Sequence, residues 1–110
     1  MRPLPPTLRE NRRYILIKIE GEGAEPTQKE IYKAIAESVT DLFGDVGAAK
    51  MHPAVIWSEG AYAVVRCSRG TEREVTAAIA CISHIGGKPL VFRTVRTSGT
   101  ILGVKKSITN

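Results

Sequence analysis

Apolar and polar positions alternate from residue 13 onward. In "RYILIKIE" (Arg13–Glu20), Ile15, Ile17 and Ile19 fall on one face and Tyr14, Leu16 and Lys18 on the other. That is the period-two pattern of a strand with one face wholly buried. "GEGAEP" interrupts it with glycine and proline. From Thr27 the period changes: Ile31, Ile35, Val39 and Leu42 recur every three or four residues, as one stripe of a helix requires. Thr27 and Glu30 are spaced as a capping box, in which each side chain satisfies the other's free backbone amide. Gly44 supplies the stop. "GDVGAAKMHP" reads as a loop with room for one helical turn. "AVIWS" and "AYAVVRC" read as short strands joined by a tight hairpin at Glu59-Gly60. After "SRG", Thr71 and Glu74 offer a second capping box, Val75, Ala78, Ile79 and Ile82 the apolar stripe, and Gly86-Gly87 the stop. "KPLVFRTV" reads as the last strand, and the residues from Gly99 form a basic tail of unassigned state.

The order β-α-β-β-α-β fits two interleaved right-handed crossovers. They predict an α+β, ferredoxin-like (RRM-like) sandwich: one antiparallel sheet in strand order 4-1-3-2 with both helices on one face. Residues 1–12, rich in proline and arginine, read as an extended arm because proline removes donors and blocks helix. Residues 13–98 make the domain, and 99–110 the tail.

Composition narrows the function. The 110 residues are 43% apolar and 25% charged, ordinary for one soluble domain. The net charge of +5 is less ordinary. It favours an anionic partner, nucleic acid before membrane or acidic protein. No apolar run approaches the ~20 residues of a membrane span, and "MRPLPPTLRENRRY" lacks the apolar core of a signal peptide. A cytoplasmic protein is expected. Cys67 and Cys81 read as free core thiols, and His52 and His84 have no partners at ligand spacing, so no metal site is expected. Nothing pairs a nucleophile with a base, and "GEG" at Gly21–Gly23 reads as a turn. No catalytic residue is assigned.

The topology gathers the arginines. Strand 1 lies antiparallel between strands 3 and 4, so its beginning should sit beside their ends. Arg12 and Arg13, Arg66 and Arg69, and Arg93 and Arg96 would then converge on one edge, with Lys105 and Lys106 emerging there. Ser68, Thr97, Ser98 and Thr100 add hydroxyls, and Gly70, Gly99 and Gly103 allow a backbone to come close. Arginine's planar fork matches phosphate bidentately, so the edge reads as a phosphate holder. The second helix also begins there, but Glu72 and Glu74 fill its first turn and exclude an anion. The first helix and its flanks are acidic, through Glu22, Glu25, Glu30, Glu37, Asp41 and Asp45. The outward sheet face holds Tyr14 and Leu16 on strand 1 and Tyr62 and Val64 on strand 3. The two tyrosines lie at opposite ends, so base stacking side by side is not expected. That aliphatic face suits a protein partner or self-association.

"RPLPPTLRENRRYILIKI", "LFGDVGAAK", "VVRCSRG" and "FRTVRTSGTI" resemble the archaeal ribonuclease P protein component 2 family. This family is the counterpart of a subunit shared by eukaryotic ribonuclease P and MRP. The resemblance runs from Arg2 to about Lys106. It implies a non-catalytic subunit that binds the catalytic domain of the ribonuclease P RNA. That RNA removes the 5′ leader of precursor tRNA using Mg²⁺, and this chain itself holds no cofactor. The resemblance further implies pairing with a TIM-barrel subunit, ribonuclease P protein component 3, in a heterotetramer with two copies of each. Carried over by motif, the RNA-facing residues are Arg12, Arg13, Arg66, Ser68, Arg69, Arg93, Arg96, Ser98 and Thr100.

Two other classes stay open beside it. One is an interaction module that mainly tethers the TIM-barrel subunit. The other is a small-molecule-binding regulatory domain of the same fold, since that fold hosts many functions. A basic edge without a lined pocket speaks against the latter.

Overall fold

The computed structural model describes residues 11–109. The elements run β1 (Arg12–Glu20), α1 (Gln28–Met51), β2 (Ala54–Glu59), β3 (Tyr62–Ser68), α2 (Glu72–Ala80), β4 (His84–Ile85), β5 (Lys88–Pro89), β6 (Val91–Ser98) and α3 (Ile101–Thr109). The arm expected over residues 1–12 lies outside the described residues as far as residue 10.

The main sheet is antiparallel in order β2-β3-β1-β6. With the small β4–β5 hairpin set aside, that is the expected 4-1-3-2 arrangement of a ferredoxin-like fold. β1 pairs with β3 from Arg12↔Ser68 to Lys18↔Tyr62, and with β6 from Tyr14↔Ser98 to Glu20↔Val91. The β1–β6 register shifts between Leu16 and Ile17, leaving Val95 as the extra residue of a bulge. Ile15, Ile17 and Ile19 are buried against Ile31, Ile35 and Val39 of α1 and Val75, Ala78 and Ile79 of α2. Each of these isoleucines and valines contributes roughly 1.5–3 kcal/mol by leaving water.

Local chemistry sets the element ends. Thr27 and Glu30 form the expected capping box, with Thr27 Oγ1 accepting from the Glu30 amide at 3.2 Å and Glu30 Oε1 from the Thr27 amide at 2.9 Å. Those bonds, the backbone one foremost, hold the Glu30 carboxyl below the usual carboxylate range. The loop expected after Gly44 is helix instead. Gly44 takes φ 74, ψ 177 and kinks the chain, but α1 resumes and runs to Met51, closed by left-handed His52. The second capping box does not form: Thr71 Oγ1 donates to the Ser68 carbonyl at 2.6 Å, and Glu74 does not return to it. α2 ends at Ala80, short of Ile82, and leaves Cys81 exposed rather than in the core. Gly86-Gly87 then makes no helix stop but the turn of the β4–β5 hairpin. Both have positive φ (59° and 79°), which a type I′ turn demands.

The larger correction concerns the second face of the sheet. Residues 101–109 form α3, and its Val104 is wholly buried against Leu16 and Val64. Tyr14, Ile56, Trp57, Tyr62 and Ile108 border this smaller cluster. Leu16 and Val64, expected on an open partner-binding face, are therefore core. Thr100 starts the helix by accepting the Gly103 amide on Oγ1 at 3.0 Å.

Candidate nucleic-acid interface

The arginine end is built by the register. Arg12 stands opposite Ser68, and the Arg69 amide donates to the Asn11 carbonyl at 3.0 Å, so the start of β1 and the loop after β3 are laced together. β6 brings Ser98 beside Tyr14, and the chain turns there through Gly99 into α3. A Cβ on Gly99 would stand 2.9 Å from Arg13 Nη1, so the guanidinium lies directly over that glycine. Arg13, Arg69, Gly99 and Thr100 line an open cleft of about 210 Å³. Four residues from three separate stretches of the chain thus meet around one space.

The hydroxyls at this end also shape the backbone. Ser98 Oγ accepts the Thr100 amide at 3.3 Å, and Thr100 Oγ1 accepts that of Gly103. A hydroxyl that accepts through a lone pair keeps its O–H to donate. The amide ends of α3 add a partial positive charge behind the cleft. By contrast, the Glu72 carboxylate accepts the Gly70 amide at the start of α2, in keeping with an anion being excluded there. Arg66 sits one row in, opposite Tyr14, and its Nε is buried with no hydrogen-bond partner among the described residues. A buried guanidinium nitrogen without a partner is uncommon.

The structure brings together Arg12, Arg13, Ser68, Arg69, Ser98 and Thr100, with Arg66 adjoining. It does not bring the others. Arg93 is opposite Lys18 and forms a 3.2 Å ion pair with Glu20, about 16 Å along the strand from Ser98 at ~3.3 Å per residue. Its expected place assumed a strand ending near Val95, whereas β6 continues to Ser98. Arg96 is exposed beside Leu16, midway along the strand. Lys105 lies on α3 over the Trp57 ring, 4.5 Å from its centroid, and exposed Lys106 follows it. Neither is at the arginine end.

Trp57 is the residue that sequence reasoning missed. With Tyr62, Ile108 and the stem of Lys105 it lines an open, mainly apolar pocket of about 480 Å³ at the β2–β3 turn. Its signal was present as the one tryptophan of the chain, on a strand whose outward positions are apolar.

Comparison with known proteins assigns the family. The Rpp14/Pop5 family pattern matches residues 13–109. The chain belongs to the Rpp14/Pop5 family. Over 108 residues it is 57% identical to the ribonuclease P protein component 2 of Methanocorpusculum labreanum, covering 98% of this chain and 73% of that one. It is 44% identical to the ribonuclease P protein component 2 of Methanoculleus marisnigri, over 96% of this chain and 66% of the relative. A relative from Methanocaldococcus jannaschii is 33% identical, with 96% and 84% covered. Among solved structures, a chain of yeast ribonuclease MRP superposes with a TM-score of 0.68 at 11% identity, covering 99% of this chain and 93% of that one. This likeness bears on the fold. The Rpp14/Pop5 match spans every strand of the sheet, α3 included, so the second helical layer belongs to the family region.

Proposed function

We propose that this chain is the RNA-binding subunit of a ribonuclease P and grips RNA backbone phosphates in the Arg13–Arg69–Gly99–Thr100 cleft. The observation that carries the proposal is the cleft itself: two guanidinium groups, a bare glycine backbone and a helix start around one open space. Relatives named ribonuclease P protein component 2 support it, as does the +5 net charge. In this reading the RNA carries out cleavage of the precursor tRNA leader with Mg²⁺. The protein's part is electrostatic. Each arginine that neutralises a phosphate lowers the repulsion between packed RNA strands and releases counterions. The TIM-barrel component 3, a second copy of this chain and a cytoplasmic setting complete the proposal.

The test is a salt titration of binding to the ribonuclease P RNA. Arg13→Ala and Arg69→Ala should each weaken binding and flatten the log–log salt slope by about 0.7–0.9 units for each phosphate no longer neutralised. Lys33→Ala on acidic α1 should leave the slope unchanged. Equal effects at all three sites would replace the cleft with diffuse attraction. A tethering role has one observation of its own: Leu42, Phe43 and Val46 are exposed around the Gly44 kink, Val46 at 83%, an apolar patch suited to a protein partner.

A further inference from the structure

The apolar pocket beyond α3 lies on the same side of the sheet as Arg66 and at its other end. Register carries a row across that end: Glu59 beside Tyr62, Tyr62 beside Lys18, and Lys18 beside Arg93. Trp57 lies one step in, opposite Val64. Lys105 reaches the same place from above, its ammonium 4.5 Å from the Trp57 ring centroid. The pocket therefore has an aromatic and aliphatic lining, Trp57, Tyr62 and Ile108, with Lys105 in its wall and Lys18 beside Tyr62; Arg93, one strand further, is paired with Glu20. Aromatic surface flanked by cations is how proteins hold single-stranded nucleic acid, the rings stacking bases while the cations follow the backbone.

We infer that this pocket takes an unstacked nucleobase of single-stranded RNA. The inference rests on the RNA-binding reading above and adds to it a second, base-directed contact. Its volume of about 480 Å³ falls within the range of ordinary small-ligand sites. The charges are complementary to a nucleotide rather than to a lone apolar side chain. Lys105 and, one strand over, Lys18 suit a phosphate outside the pocket. The Glu59 carboxylate at its rim accepts from the exocyclic amine of a cytosine or guanine. A base that enters stacks on the rings, and the Lys105 ammonium moves from the indole face to that nucleotide's phosphate. From the pairing Arg12↔Ser68 to Lys18↔Tyr62 the two sites are separated by about 20 Å, with α3 between them. An RNA strand held in the cleft can reach the pocket by following that helix.

Trp57 is the only tryptophan, so its emission reports the pocket directly. The intact protein is titrated with a single-stranded RNA of about eight nucleotides, with an abasic strand of the same length, and with a duplex. Anisotropy follows binding and tryptophan emission follows stacking. The base-bearing strand should quench Trp57, while the abasic strand and the duplex should bind without quenching. Arg13→Ala should weaken binding but leave the quench at saturation intact. Tyr62→Leu should weaken binding of the base-bearing strand about tenfold and leave the abasic strand unaffected. Binding of the base-bearing strand with unchanged emission, or equal losses for both strands in Tyr62→Leu, overturns the base pocket and leaves the phosphate cleft standing. Failure of every oligonucleotide and of the ribonuclease P RNA to bind overturns both.

Discussion

Leu16 gives the sharpest test of how the second face is closed. It is wholly buried between Val64 and Val104, with β1 beneath and α3 above. Truncation to alanine removes three carbons from a site whose lid is a nine-residue helix. Leucine-to-alanine changes in cores cost about 2–5 kcal/mol, less where the surroundings can collapse. A short terminal helix can settle into the gap, so about 2–3 kcal/mol is expected for Leu16→Ala. At roughly 4–8 °C per kcal/mol for a domain near this size, Tm should fall by about 10–20 °C. Val104→Ala, made alone and combined with Leu16→Ala, completes a cycle measured by thermal and urea unfolding. The two residues touch in one cluster, so their losses should depart from additivity by at least about 0.5 kcal/mol. Leu16→Ala with Ile35→Val, across the sheet, should be additive. A loss below about 1 kcal/mol for Leu16→Ala, with additivity to Val104, is the behaviour of an exposed leucine. That result would refute the closure by α3.

Three further outcomes rest on local features. Gly44→Ala should destabilise by about 1–3 kcal/mol in urea titration, because φ 74 with ψ 177 is a conformation essentially confined to glycine; no neighbour lies within 4 Å of an added Cβ, so an unchanged midpoint would mean that the kink straightens freely. Cys81 should react promptly with a thiol reagent and Cys67 only on unfolding, since Cys67 is buried and burial pushes its thiol pKa up; simultaneous modification of both in the folded protein would contradict the packing. Thr27→Ala should cost about 0.5–2 kcal/mol at neutral pH. Because the folded Glu30 carboxyl is held below its ordinary value, its share of the box is present above the unfolded pKa and fades as pH falls through the lowered one; a Thr27→Ala penalty that grows on acidification would reverse this sign.

The sheet order, the Thr27 cap and the positions of Arg12, Arg13 and Arg69 were legible because each depends on local pattern and standard topology. α3 is ambiguous in sequence. Ile101, Val104 and Ile108 stand at helical spacing after a capping threonine, yet the hydroxyl-and-glycine run before them reads equally well as a phosphate loop; in the fold its hydroxyls cap the start of α3. β1 itself carries the hint, for Tyr14 and Leu16 make its second face apolar and ask for a cover. The misplacement of Arg93 came from the strand end, which propensity leaves loose: β-branched Thr94 and Thr97 extend β6, and only pairing with Tyr14 fixes where it stops. Trp57 and Lys105 meet through tertiary packing alone, since no sequence period links β2 to α3.

The cleft draws Arg13 from β1 and Gly99 and Thr100 from the turn before α3. β1, though it precedes the other described strands in the chain, occupies the interior of the sheet and cannot be fully paired until β6 has left the ribosome. At about 5–20 residues per second, several seconds separate the two. During that interval the nascent chain emerges beside ribosomal RNA with its arginines displayed but not yet gathered. The cleft is thus a property of the completed sheet, and a truncated product lacking β6 carries the charge without the cleft.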